Sequence, residues 1–215
     1  MKIAIIDSGI HPGHPHVGQV DGGITITPQG ESDDMVDRLG HGTAVAGAIR
    51  EKAPDAELYA VKVFDTRLST NIEAIARALE WCRKHRMDLV NLSLGTKNPN
   101  HGDLLARAIG DGMAVVSAAG AWPGNLPDVI GVAPDTDCPR DEFRYQNGVF
   151  YASPYPRPIP GVPVEHNLHG VSFAVANMTG CAAQILCNHS RRDLRAALIE
   201  FAEKRFRLRS SPGSH

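Results

Sequence analysis

Residues 1–10 read MKIAIIDSGI. The run Ile3-Ala4-Ile5-Ile6 is apolar without alternation, stops at Asp7, and is followed by Ser8-Gly9, a pair suited to turning the chain. An uninterrupted apolar run of this length is the pattern of a parallel strand buried on both faces. Parallel strands need crossover connections, usually helices, and the chain continues in that way. Residues 42–52 are small and helix-compatible, with Ala44, Ala46, Ala48 and Ile49. ELYAVKVF at 57–64 reads as a second strand. Residues 70–85 form an amphipathic helix, in which Thr70 and Glu73 fit a capping box and Ile72, Ile75, Ala76 and Leu79 share one face. Strands at 88–92, 113–118 and 129–132 and a helix at 103–110 complete the alternation.

The remaining segments are less regular. Residues 11–40, rich in Gly, Pro, His and Asp, read as loops and short hairpins. Residues 134–169 carry Pro154, Pro156, Pro158, Pro160 and Pro163; proline cannot donate to a sheet ladder, so extended loop and edge structure is expected there. Residues 172–186 read as a helix of small residues. A last helix starts at Ser190 and Asp193, with Leu194, Ala197, Leu198 and Phe201 as its inner face. The polar residues 209–215 are expected to be a disordered tail behind one domain at 1–208. The alternation of strand and helix predicts an α/β fold in three layers, a mainly parallel central sheet with helices on both faces.

Composition narrows the function. A chain of 215 residues can bury one sizeable core. Its net charge of −2 gives no electrostatic reason to expect nucleic acid or an anionic membrane as partner. No apolar stretch approaches the ~18 residues of a membrane span, and the first apolar run is too short for a signal-peptide core. The four cysteines, Cys82, Cys138, Cys181 and Cys187, form no CxxC pair and read as free thiols. A cytoplasmic protein is expected.

Three residues stand where chemistry is possible. Asp7 ends a strand, the place where open parallel sheets form sites, although an Asp there serves equally in phosphate sites, metal sites and turns. His41 opens a helix beside Gly42 and faces either a cleft or the core. Ser172, in Gly170-Val171-Ser172-Phe173-Ala174, either caps a helix or presents a hydroxyl next to free N–H groups at the positive end of a helix dipole. Together they make a known arrangement. A Ser hydroxyl needs a base to remove its proton, a His serves near neutrality, and an Asp fixes the imidazole tautomer. The chain order Asp, His, Ser is one of three known for such triads.

With these residues in view, the chain resembles the subtilisin-like serine protease family over almost its whole length. IIDSGI at 5–10, HGTAVAG at 41–47 and GVSFAVANMTG at 170–180 are similar to the three catalytic segments of that family, and two more segments occur in the family's order. Asn91-Leu92-Ser93-Leu94-Gly95 resembles the strand that pairs with bound peptide. Val115-Val116-Ser117-Ala118-Ala119-Gly120 resembles a wall of the main specificity pocket. The resemblance implies a serine endopeptidase acting on a peptide or protein, with Ser172 as nucleophile, His41 as general base and acid, and Asp7 as its partner. It further implies that Ser93, Leu94 and Gly95 hold the substrate backbone and that Leu94, Ala118, Ala119 and Gly120 line the pocket. Asp37 falls where the family shapes the neighbouring pocket, and reads either as a specificity residue or, preferably, as a solvated loop carboxylate.

The departures point elsewhere. The family's oxyanion-hole Asn is Ala121 here, and the usual Gly-Thr-Ser is Gly170-Val171-Ser172. Asn125 is the first candidate to supply the missing donor, ahead of the Trp122 indole and of His166 or His169; a turn residue, a packing surface and loop residues are the ordinary readings of the same groups. No cofactor is implied. Calcium is not indicated, because Asp33, Asp34 and Asp37 lack a calcium-loop spacing. No extension precedes the first strand, which fits an intracellular enzyme with a narrow substrate such as a precursor or leader peptide. A degenerate protease retained as a peptide-binding module is the rival reading, and acyl transfer to an amine is a third. Oligomeric state is left open.

Overall fold

Nine strands form one sheet in the order β3-β2-β4-β1-β5-β6-β7-β9-β8 in the computed structural model, which describes residues 1–210. They are β1 (Lys2–Asp7), β2 (Gly22–Thr27), β3 (Gly30–Ser32), β4 (Glu57–Lys62), β5 (Leu89–Leu92), β6 (Ala114–Ala118), β7 (Ile130–Pro134), β8 (Phe143–Gln146) and β9 (Val149–Ala152). The seven strands from β2 to β9 in this order run parallel; β3 and β8 close the two edges antiparallel. Helices α1 (His41–Arg50), α4 (Val171–Leu186) and α5 (Leu194–Ser210) share one apolar cluster with the sheet. Helices α2 (Ile72–Lys84) and α3 (Gly102–Ile109) share the other. The predicted three-layer α/β fold is the observed one.

Strand β1 shows why. Ile3 and Ile5 face one cluster and Ala4 and Ile6 the other, so the strand is apolar at every position because both faces are covered. Burying one such Ile stabilises by about 1.5–3 kcal/mol.

Four details differ from the reading of the sequence. Helix α2 is capped by Asn71, whose Oδ1 accepts from Ala74 N at 2.8 Å; Thr70 Oγ1 is buried without a partner among the described residues. Asn is a strong N-cap, and it outcompetes the box one residue upstream. Residues 143–152 form the β8–β9 hairpin. Its turn, Asn147-Gly148, has φ of 51° and 84°, the mirror-image turn that this dipeptide favours. In α5, Ala202 joins Leu194 and Leu198 on the buried face. Phe201 is 41% exposed and stacks on Phe143 from outside. The expected tail at 209–215 lies outside the described residues from 211 onward; Arg209 and Ser210 belong to α5.

Two polar networks fix α1, which bears His41. Lys52, just past its end, is buried and donates to Asn177 Oδ1 of α4 at 2.8 Å; Asn177 in turn donates to Ser153 O and Tyr155 O. The helices carrying His41 and Ser172 are therefore tied to each other and to the loop between β9 and α4. Arg50 holds the opposite side. Its Nε donates to Val17 O at 3.0 Å, Nη1 to Pro54 O and Ala56 O at 2.7 and 2.6 Å, and Nη2 to Gln19 O at 3.0 Å. One guanidinium thus cross-links two loops through four carbonyls, in a fork that Lys cannot reproduce. Arg50→Ala is expected to lower the unfolding free energy by about 3 kcal/mol, and Arg50→Lys to recover only part of it. Chemical denaturation measures both; equal stability of all three proteins would contradict the cross-link.

Candidate active site

The sheet order places the carboxyl ends of β1, β5 and β6 side by side. The chain leaves β1 toward β2 on one side and leaves the adjacent β5 toward β6 on the other, so the switch point where parallel sheets open a crevice lies between them. Asp7 ends β1, and its side chain is 1% exposed. His41 is the first residue of α1. Contact between the two depends on glycine at 42, because a Cβ there would lie 2.1 Å from Gly9 O. His41 Nδ1 lies 2.7 Å from Asp7 Oδ1. A carboxylate only accepts, so Nδ1 carries the proton and Nε2 is the free nitrogen. Ser8 N also donates to Asp7 Oδ1, at 2.8 Å. Asp7 Oδ2 is buried without a partner among the described residues.

Ser172 is the second residue of α4; the N–H groups of Phe173 and Ala174 bond to Gly170 O, while those of Val171 and Ser172 lack a carbonyl partner within the helix. The ring of the next residue, Phe173, lies 5.5 Å from the His41 ring. Ser172 Oγ donates to Ser93 O at 3.5 Å, a long bond, and Ser93 Oγ returns one to Ser172 O at 3.2 Å. The hydroxyl rests on a weak acceptor, and no hydrogen bond joins it to His41 among the described residues.

Burial alone would lower the His41 pKa. The hydrogen bond to Asp7 and the charges of Asp7 and Asp37 outweigh it, and the pKa is raised above its ordinary 6.5. Asp37 is 7% exposed, so the expectation of a solvated carboxylate is corrected. Burial works against its charge, but bonds from Thr43, Leu39 and Ser8 prevail and hold its pKa below the ordinary value. Its oxygens are all committed inside the protein.

The predicted peptide segments flank this site. Ser93, Leu94 and Gly95 continue from β5, and Ala118 ends β6 with Ala119 and Gly120 following it. A Cβ on Gly95 would lie 2.7 Å from Trp122 O, so only glycine lets the two segments approach. They are joined beyond it by paired bonds between Thr96 and Trp122, 2.8 and 2.9 Å. Asn125 Oδ1 accepts from Gly120 N at 2.9 Å, a turn-holding role. The Trp122 ring covers Gly102 of α3, and His166 and His169 are exposed.

The supporting contacts of Ser8, Asn91 and Thr179 escaped the sequence reading. Ser8 Oγ contacts both carboxylates. Thr179 Oγ1 lies 2.8 Å from Val175 O and 3.0 Å from Asn91 Oδ1, and Asn91 Nδ2 donates to Ser93 Oγ at 2.9 Å, supporting the segment that holds Ser172. An Asn inside the otherwise apolar LVNL was the available signal.

Residues 1–136 match the model of the Subtilase family. Subtilisin E of Bacillus subtilis (strain 168) is 32% identical over 220 residues, which cover 88% of this chain and 56% of the relative. The chain thus spans little more than half of that relative's length. Subtilisin of Bacillus pumilus is 31% identical over 88% of this chain and 78% of its own. Subtilisin Savinase of Lederbergia lenta is 33% identical over 85% and 71%. A cold adapted subtilisin-like serine proteinase superposes with a TM-score of 0.72 over 93% of this chain and 81% of the other, at 20% identity, a likeness of fold.

Proposed function

Because the chain belongs to the subtilase family, we propose that it is a serine endopeptidase that hydrolyses a peptide bond through an acyl-enzyme on Ser172. The observation that carries this reading is the 2.7 Å bond from His41 Nδ1 to Asp7 Oδ1, with Ser172 in the first turn of α4, whose Phe173 ring lies 5.5 Å from the same imidazole. The bond commits Nδ1–H to Asp7 and leaves the Nε2 lone pair for the Ser172 proton. Oγ attacks the scissile carbonyl as His41 takes that proton, and His41 then gives it to the leaving amine. Asp7 stays ionised and stabilises the imidazolium. The negative oxygen of the intermediate meets N–H groups at the start of α4. Water repeats the cycle on the ester and releases a free carboxylate. The substrate binds extended along Ser93 to Gly95 as an added strand, with Leu94 and Ala118 to Gly120 against the side chain before the scissile bond.

The pH profile follows from His41, which must be neutral to act as base. Its pKa lies above 6.5. Activity is therefore expected to fall as pH drops through a midpoint above 6.5, read from kcat/KM on a peptide. The raised pKa also stabilises the fold on the acid side of that midpoint. This contribution disappears as pH rises through it, where activity appears. A midpoint at or below 6.5 would contradict the assigned role of Asp7.

A narrow peptide or precursor substrate and a cytoplasmic site of action belong to the same proposal; the four cysteines, all free, favour the latter. Among the described residues no helix is long and apolar enough to cross a membrane. The second reading, a peptide-binding module, is favoured by Ala121 and by a Ser172 hydroxyl that rests on Ser93 O. Incubation of wild type and Ser172→Ala with a diverse peptide mixture, read by mass spectrometry, separates the readings. Cuts by the wild type alone, ending in free carboxylates, are expected. Ligated or cyclic products would replace hydrolysis by acyl transfer, and identical uncut mixtures at high enzyme would leave the binding module.

A further inference from the structure

Asp33 and Asp34 are exposed, whereas Asp37 from the same loop is buried. Its Oδ1 accepts from Ser8 Oγ, Leu39 N and Gly40 N, each at 2.9 Å. Its Oδ2 accepts from Thr43 N at 2.9 Å and Thr43 Oγ1 at 2.7 Å. The N-cap of α1 is Gly40, which has no side chain to cap with, and Asp37 does that work from three residues upstream. Five donors on one carboxylate exceed what a cap requires.

The fifth connection leads to the candidate site. Ser8 Oγ accepts from Gly42 N at 2.9 Å and lies 2.9 Å from Asp37 Oδ1 and 3.2 Å from Asp7 Oδ1. A hydroxyl has one proton, and the shorter contact assigns it to Asp37. Asp7 Oδ1 then keeps Ser8 N and His41 Nδ1 as its donors. The residues on either side of His41 are both held by this arrangement, Gly40 by Asp37 directly and Gly42 through Ser8. Two buried carboxylates thus flank one hydroxyl at the end of the helix that begins with His41.

The groups that act on the imidazole charge are Asp7 and Asp37. From α4 it meets Phe173, which carries no charge. Lys62 of β4, the register partner of Asp7, turns its Nζ to Val36 O at 3.1 Å and Asp65 Oδ1 at 3.4 Å.

We propose that Asp37 is a positioning residue for His41: through Ser8 and the start of α1 it fixes the imidazole against Asp7, and its buried negative charge favours the imidazolium. The catalytic consequence rests on the protease reading above; the electrostatic one does not.

The test is an NMR titration of the His41 ring in the full chain, as wild type, Asp37→Asn and Thr43→Val. Asp37→Asn removes the charge while keeping the shape, and the His41 midpoint is expected to move to lower pH. Thr43→Val removes a hydrogen bond from the same carboxylate but no charge, and is expected to leave the midpoint in place. On a cleaved peptide the acid limb of kcat/KM shifts downward in step for Asp37→Asn. The titration needs no turnover. A chain that cleaves nothing yet shows the downward shift keeps Asp37 in this role and sinks only the protease reading. A folded Asp37→Asn with the wild-type midpoint overturns the proposal. Asp37→Ser, neutral and suited to capping, serves if Asp37→Asn does not fold. Failure of both to fold assigns Asp37 to the scaffold alone and overturns the proposal as well.

Discussion

Ser172→Ala is expected to fold as the wild type does and to cleave at least a thousand times more slowly. The small structural cost follows from what the hydroxyl touches, a single bond of 3.5 Å to Ser93 O. Losing so long a bond at a helix start should change stability by about 0.5 kcal/mol or less. The catalytic cost is of another order. In subtilisin, the worked case of this chemistry, removing the nucleophile costs on the order of 10⁶ in turnover, and what remains comes from binding and the oxyanion donors. The resemblance puts Ala121 at the position of one of those donors, and a donor lost there would by itself take about 10²–10³ from the wild-type rate. The fall that is read should then be on the order of 10³–10⁴, measured as kcat on one cleaved peptide with melting temperatures compared in parallel. A variant that folds and cuts at the wild-type rate would show that Ser172 is not the nucleophile.

How much of this was legible in the sequence depends on the type of residue. Strand β1 announced itself because a strand covered on both faces must be apolar throughout, and Asp7 was legible as the residue that breaks the run. Asn147-Gly148 carried the hairpin signal, but the prolines on either side of it in 134–169 drew the reading toward loop. Asp37 shows the limit. Its place before His41 sets it apart from Asp33 and Asp34, but its burial is not written there, since it also needs Ser8, 29 residues away in the chain. Buried polar groups are specified by partners that only the tertiary structure supplies. Phe201 failed in the opposite sense. Its helical phase fits the inner face, but β8 offers Phe143 at the rim, and the ring stacks there while Ala202 fills the narrower interior position.

Ala121→Asn is expected to raise kcat by about 10²–10³ with little change in KM, the reverse of the loss that a subtilisin suffers when its oxyanion amide is removed. The gain falls on kcat because an amide aimed at the developing oxyanion interacts more strongly with the transition state than with the bound peptide. The backbone at 121 is ready to carry such a group. Ala121 O accepts from Asn125 N at 3.0 Å, Gly120 N donates to Asn125 Oδ1, and Trp122 is paired with Thr96, so the segment is pinned before, at and after the position. A side chain leaving a fixed backbone loses less entropy on donating than one on a mobile loop. The control is Asn125→Ala, alone and combined with Ala121→Asn. If Asn125 only holds the turn, its loss lowers stability and leaves the gain at 121 measurable. If Asn125 already supplies the amide, Ala121→Asn gains nothing and Asn125→Ala loses about 10²–10³ in kcat. Absence of any gain at 121 with an unchanged Asn125→Ala would mean that this chain stabilises the oxyanion through backbone N–H groups alone, in a geometry that a new amide does not reach.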